Sequence, residues 1–548
     1  MKNVQRNLLL LMGSLLLLFT SCKPREEQSD VPTQSQTQNG PETFRVIAGS
    51  ENKDLEPILQ RFAKQEGASL NVTYLGSVDI ALQLESGNVE ADAVWPASSL
   101  WIQFADRNKI VKNTKSVARS PIVFGVKMSR AKELKWTDRT VSVSDIQSTA
   151  ENGNLRFAMT SATQSNSGAS AYLGFLSAYA GSPDVLLSEH LQNVDVQDKT
   201  RKLLATVDRS SGSSGWLRDQ IVKDPTSFDA MVNYEAMLIS ANRDLVAQGQ
   251  EPLCAVYPRD GLTMADFPLG FIDHANPAKV AFFGRLQDYL LSAPVQSEIE
   301  RLGRRTSLVG IESNATDIFN PAWCIDTKRT ISSVPLPSAQ VIREALELYQ
   351  TLLRKPSFSV FVLDYSGSMS GEREQAMKKA MGTLLNPESA RRYMLQPSGR
   401  DINVVIPFSA EVIDVWKTEG NDPPLLHHLL QNIQQMNTSG GTSLYTATAK
   451  ALAYMEDYQA EHPNRKDPKH LSAYFPAIIL MTDGEATDEK SILDEYLRQH
   501  PTAKDTPIFG IRFGEASESQ LDALTQKGRV FDGTKDLAKA MREAKQYN

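Results

Sequence analysis

Apolar runs of strand length alternate with stretches of helical period, and the chain does this twice. "TFRVIAGSENKDLEPILQRFAKQEG" reads as a strand, a Gly-Ser turn and a helix with apolar positions at 55, 58, 59 and 62. "LNVTYLG", "ADAVWPAS" and "SPIVFGVKMS" predict further strands, and "LRFAMTSATQSNSGASAYLGFLSAYAG" predicts a strand, a polar loop and a helix. With "SGSSGWLRDQIV", "FDAMVNYEAMLISAN" and "EPLCAVYPRDG", the succession fits two α/β halves joined by crossing strands. The connector "VPLPS" then leads into "AQVIREALELYQTLLRKPS", a helix apolar at 341, 345, 348 and 352 that Pro356 ends and that either neighbour could own. Beyond it, "FSVFVL", "REQAMKKAMGTLL", "INVVIPF", "SLYTATAKALAYM", "AIILMT", "PIFGIRF", "RVFD" and "DLAKAMREAKQ" predict a doubly wound α/β unit. The charged insert "EDYQAEHPNRKDPKHLSAY" reads as a solvated loop.

Length and charge narrow the picture. At 548 residues the chain exceeds one core, and the length prior gives about three domains, with two large units also fitting. A net charge of -7, with both signs well mixed, offers no broad cationic face for a nucleic acid. The start, MKNVQRNLLLLMGSLLLLFTSC, places Lys2 and Arg6 before a short apolar stretch from Leu8 to Phe19, the pattern of an export signal too short for a stop-transfer helix. "FTSC" resembles the bacterial lipobox, with Phe19 where leucine is usual, which implies lipidation at Cys22. Ordinary cleavage with a free Cys22, or an uncleaved anchor, are the alternatives. The next segment, KPREEQSDVPTQSQTQNGP, cannot bury a core and reads as a tether. Cys254 and Cys324 remain, an even pair that in an exported protein suggests a disulfide, the alternative being two buried thiols. The predicted division is a lipoprotein-type signal peptide at 1–22, a tether at 23–43, a first domain at 44–332, a connector helix at 333–356 and a second domain at 357–548.

The chemistry concentrates at "VFVLDYSGSMSG". In an open α/β sheet, ligands bind beyond the carboxyl ends of the strands. Asp364 follows "FSVFVL" and Asp483 follows "AIILMT", so two carboxylates from different strands point at one crevice. "NTSGGTSLYTA" brings in Thr442 ahead of a helix, with Gly440 and Gly441 permitting a tight approach. Asp364, Ser366, Ser368, Thr442 and Asp483 supply only oxygen, which selects a hard cation. Few carboxylates with several hydroxyls and waters suit Mg²⁺ better than Ca²⁺, Mn²⁺ being a further option. Such a shell leaves a water position that an incoming carboxylate could take.

"DYSGSM", "GGTSLY" and "MTDGE" resemble the von Willebrand factor type A (VWA) domain with its metal-ion-dependent adhesion site, over about 358 to 545. All five ligand positions of that pattern are filled. The resemblance implies capture of a protein partner whose anionic side chain completes the metal shell; a vestigial site in which "SGS" is only a turn is the alternative. Asp488 and Glu485 lie nearby and read equally well as solvated. Residues 44 to 330 resemble the two-lobed periplasmic solute-binding proteins of type 2, through "VIAGSENKDLEPI", "SPIVFGVK", "ATQSNSGASAYLGFLSAY", "VNYEAMLI" and "AVYPRDGLTMADFPLGFI" in that order. That resemblance implies a ligand cleft at Ser50, Ser165, Asn166, Ser167, Tyr234 and Glu235, although Ser165 or Ser167 would serve equally as a helix cap. An α/β enzyme without a solute role is the alternative for this region.

"SGSSG" at 211 to 215 reads as a flexible loop, lining the cleft being the alternative, and lacks the lysine of a phosphate loop. No HExxH, G-x-S-x-G or CxxC pattern occurs, so catalysis has no visible carrier. The expectation is an exported, lipid-anchored bacterial binding protein of the cell envelope with no enzymatic activity. Its VWA domain engages a protein partner through a divalent metal, beside a solute-binding-like domain. The alternative is the solute-binding component of an ABC-type transport system with an accessory VWA domain.

Overall fold

The computed structural model describes residues 43–545 apart from 88, 274, 308–310, 312–314, 316 and 328–331. The export signal, Cys22 and the tether therefore lie outside the described residues. No helix among the described residues is long and apolar enough to cross a membrane.

Seventeen strands form three sheets. The first four are β1 (Phe44–Gly49), β2 (Leu70–Leu75), β3 (Ala93–Trp95) and β4 (Val111–Ser116). Next come β5 (Ser120–Lys127), β6 (Phe157–Thr160), β7 (Val207–Ser211), β8 (Ala230–Tyr234), β9 (Leu253–Val256) and β10 (Met264–Ala265), and then β11 (Pro268–Ile272). The last six are β12 (Ser357–Asp364), β13 (Ile402–Phe408), β14 (Trp416–Glu419), β15 (Phe475–Thr482), β16 (Ile508–Arg512) and β17 (Val530–Asp532).

One sheet has the order β2-β1-β3-β11-β4; a second has β10-β5-β8-β6-β7, with β9 paired to β5. The chain thus builds one lobe, crosses into the other at β5 and returns at β11, which runs antiparallel to β3 and β4. Cys254 in β9 is bonded to Cys324, 70 residues on.

The third sheet has the order β14-β13-β12-β15-β16-β17, parallel except at the β14 edge. Its centre, β12, is buried along its whole length because helices cover both faces. Phe361 and Leu363 pack with Met377, Met381 and Leu384 of the helix Glu372–Leu385. Phe358, Val360 and Val362 pack on the other side with Leu444, Ala447 and Leu452 of the helix Leu444–Glu461. Strand order reverses at β12, with β13 on one side and β15 on the other, and such a reversal opens a crevice at the strand ends.

The connector helix Ala339–Leu348, continued by a π turn at Tyr349–Leu353, belongs to the first domain's core. Its face of Val341, Ile342, Ala345 and Leu346 is buried there, and it touches both lobes. Tyr172 donates its hydroxyl to the Ala345 carbonyl at 2.8 Å from one lobe. Arg343 bonds Glu85 at 3.0 Å and lies 4.4 Å over the Phe104 ring of the other. The expected solvated insert is a loop only in part, since the helix Leu444–Glu461 runs into it and His470 is buried.

Replacing both Cys254 and Cys324 by alanine removes a loop constraint from the unfolded chain. The loop-closure relation for this separation gives a loss of about 4 kcal/mol in unfolding free energy, readable as a lower urea midpoint for the first domain.

Candidate functional site

Asp364 is the last residue of β12 and Asp483 follows β15, so adjacent parallel strands deliver both carboxylates to the reversal crevice. Both are buried. The Ser366 amide donates to Asp364 Oδ1 at 2.7 Å and the Thr482 hydroxyl to Oδ2 at 2.7 Å. Ser366 and Ser368 share a hydrogen bond between hydroxyls at 3.0 Å, and Ser368 donates to Asp483 Oδ1 at 2.7 Å. Four of the five expected ligands thus form one connected set.

Thr442 arrives on a loop stitched to both others. The Gly367 amide donates to the Gly440 carbonyl at 3.0 Å, and the Ser439 amide to the Tyr365 carbonyl at 2.8 Å. On the other side the Thr442 amide donates to Thr487 Oγ1 and the Thr487 amide to the Thr442 carbonyl, each at 2.9 Å. Gly440 has a φ of +79°, a left-handed conformation that glycine adopts without strain. A Cβ on Gly441 would stand 2.9 Å from Thr487 Oγ1, so the neighbouring loop reaches this close only against glycine.

Burial pushes the Asp364 carboxyl above the usual aspartate range; bonds from Thr482 and Ser366 pull it back, and the Asp483 charge pushes it further up. Among the described residues no Lys or Arg pairs with Asp364. Asp483 does have a cationic partner, Arg373 at 2.6 Å, from the first turn of the helix that follows the serines. Sequence reading missed Arg373; its position just after "SGSMSG" was the available signal. Asp488 is a helix cap here, accepting from the Tyr445 and Thr446 amides at 3.2 and 2.8 Å.

A buried carboxylate without a cation, beside a second carboxylate and two hydroxyls, is a donor set that fits a hard divalent ion. Asp364, Ser366, Ser368, Thr442 and Asp483 are the residues that could hold it. Among the described residues no cluster of three or more His, Cys, Asp and Glu exists that could hold a metal, so the hydroxyls would carry much of such a shell.

The first domain presents a different chemistry. Ser165, Asn166, Ser167, Tyr234 and Glu235 are all buried, and they bond one another and their neighbours. Trp101 donates its indole N–H to Asn166 Oδ1 at 3.0 Å, Asn166 donates to the Tyr234 hydroxyl at 3.1 Å, and Tyr234 donates to Glu51 Oε1 at 3.0 Å. This chain ties the two lobes together, with Trp101 and Glu51 from one and Asn166 and Tyr234 from the other. Burial raises the Glu51 carboxyl above its usual range. Glu235 forms a buried fork with Arg305 at 2.7 and 2.8 Å.

Ser165 stands at the start of the helix Asn166–Tyr179 yet makes no capping bond. Its hydroxyl bonds Ser214 at 2.9 Å, and Ser167 bonds Ser214 at 2.7 Å. The flexible-loop reading of 211 to 215 is therefore corrected: Ser211 ends β7, Ser213 caps the helix Ser214–Lys223, and Ser214 is buried against the serines. Of the six expected cleft residues, Ser50 lines a cavity.

These geometries define a binding fold of two lobes followed by a type A fold with a strand-end acidic site. Residues 44–305 match the family described as bacterial extracellular solute-binding protein, and residues 360–543 match the von Willebrand factor type A domain. The chain combines a bacterial solute-binding domain with a VWA domain, both binding families, and the first is a family of exported proteins. A human protein, inter-alpha-trypsin inhibitor heavy chain H6, is 27% identical over 169 residues, which are 30% of this chain and 12% of that protein's length.

Among solved structures, the periplasmic binding protein AfuA from Actinobacillus pleuropneumoniae is similar at 12% identity, covering 54% of this chain and 89% of that one, with a TM-score of 0.39. The ferric binding protein from Campylobacter jejuni is similar at 13% identity, covering 56% and 98%, with a TM-score of 0.40.

Because Asp364 has a raised folded-state pKa, its contribution to stability is present below the ordinary aspartate value and is lost as pH rises through the folded-state value. Asp364→Asn, neutral at every pH, is expected to melt above the native protein in EDTA at pH 7. The difference should close as pH is lowered, as scanning calorimetry would show.

Proposed function

We propose that this chain is an extracytoplasmic, lipid-anchored binding protein whose VWA domain captures a protein partner through a divalent cation, Mg²⁺ by preference. The observation that carries this reading is the connected set Asp364, Ser366, Ser368 and Asp483 at the strand-order reversal, with the Thr442 loop sewn beside it. The bound cation supplies positive charge that a partner's carboxylate can meet. Asp364 and Asp483 hold that charge, the serine hydroxyls orient it, and Arg373 holds Asp483 in place from the opposite side.

The anchor is Cys22, the last residue of the export segment 1–22. Binding without catalysis agrees with both matched families. The match of residues 44–305 to extracellular solute-binding proteins favours a second reading, the solute-receiving component of an ABC-type transporter with the VWA domain as an accessory.

Mg²⁺ at a hundredfold excess over its Kd should stabilise the native protein by about 2.7 kcal/mol, and Asp364→Ala should abolish the gain. In affinity capture from the source cell envelope, EDTA and Asp364→Ala should each release the same partner. Capture that survives both would overturn the adhesion reading.

A further inference from the structure

With the deeper polar groups of the lobes bonded to one another, one open space bordering the first domain lies at the ends of its strands. A cavity of about 200 Å³ is bounded there by Ser50, Gly76, Asp79 and Ser213, beyond the carboxyl ends of β1, β2 and β7. Tyr74, Leu75, Val78 and Leu82 add an apolar side, and the VWA domain contributes Arg529 before β17 and Lys539, Arg542 and Glu543 on the helix Leu537–Lys545. Three cationic side chains and two carboxylates therefore face one small space.

The pairing inside it is loose. Arg542 and Lys539 stand 3.4 and 3.6 Å from Asp79, and Lys539 stands 3.8 Å from Glu543. The buried Arg305–Glu235 pair closes to 2.7 Å by comparison. An arginine carries five donors and a lysine three, so Asp79 and Glu543 at these distances do not saturate Arg542 and Lys539. The Arg542 side chain is only 14% exposed, held 4.2 Å over the Tyr393 ring, which fixes its guanidinium at the cavity wall. The helix Ser77–Ser86 also starts at this wall, at Gly76, with Asp79 in its first turn, so the cavity's own carboxylate complements that helix end.

We propose that this interdomain cavity binds a small oxyanion, a phosphate- or carboxylate-bearing solute, and that the VWA domain supplies half of the site. The inference rests on the reading of the first domain as solute-binding and names the class of its ligand and a second source of ligand contacts. Lys539, Arg542 and Arg529 meet the anion's oxygens from one side. Ser50 and Ser213 meet them from the other. A solute so held contacts both lobes and the second domain at once.

Isothermal titration calorimetry on the full chain, freed of anions by dialysis, tests this with inorganic phosphate, citrate and maltose. Phosphate or citrate should bind and maltose should not; phosphate alone would assign a tetrahedral oxyanion and citrate alone a polycarboxylate. Lys539→Gln with Arg542→Gln should weaken binding about tenfold, and Arg529→Gln, on a separate loop, should weaken it too. Lys199→Gln, an equal charge loss on a distant exposed helix, should leave it unchanged. Unchanged affinity in both cavity variants would overturn the proposal. Binding of maltose but of neither anion would overturn it while sparing the solute-binding reading, and silence of all three would count against both.

Discussion

Two carboxylates buried side by side at the end of one sheet are the constraint on which the second domain turns. Taking Asp364 and Asp483 out of water costs several kcal/mol per charge unless hydrogen bonds and opposite charge offset it. The fold provides part of that offset through Thr482, Ser366, Ser368 and Arg373. Asp364 itself is left with hydroxyl and amide donors, and its raised pKa records the shortfall. A divalent cation at the proposed site would make up the difference.

The same economy shapes the first domain in the opposite sense. Its inner polar groups are satisfied internally, by the chain from Trp101 through Asn166 and Tyr234 to Glu51. Buried polar groups that bond one another across two lobes hold those lobes together. The connector helix adds a second tie, bonding Glu85 on one lobe while its Ala345 carbonyl accepts from Tyr172 on the other. The second domain adds a third, Arg542 and Lys539 reaching Asp79, and Lys355 at the end of the connector bonds the Val207 carbonyl at 3.3 Å.

Much of this was legible along the chain because it rests on local signals. The apolar runs of β1, β5, β12 and β15 mark strands directly, and an aspartate at the end of such a run points to the strand-end crevice. Asp364 ends β12 and Asp483 follows β15, as that pattern predicts. What could not be read depends on partners far apart in sequence. Nothing local to Glu51 announces Tyr234 as its partner, and the serines at 165 and 167 look alike whether they meet a solute or Ser214. The connector's apolar face fits either neighbour, and only packing against Tyr172 and Phe104 decides it. Arg373 was passed over because a helix-start arginine usually faces solvent.

The central claim is that the strand-end carboxylates hold a divalent ion. Electron paramagnetic resonance of Mn²⁺ titrated into the full chain tests it most directly, since free Mn²⁺ gives a strong signal that binding quenches. The account predicts a single saturable ion, displaced by Mg²⁺ and lost in Asp364→Asn. A signal that follows total Mn²⁺ from the first addition, or a bound ion that persists in Asp364→Asn, would contradict it.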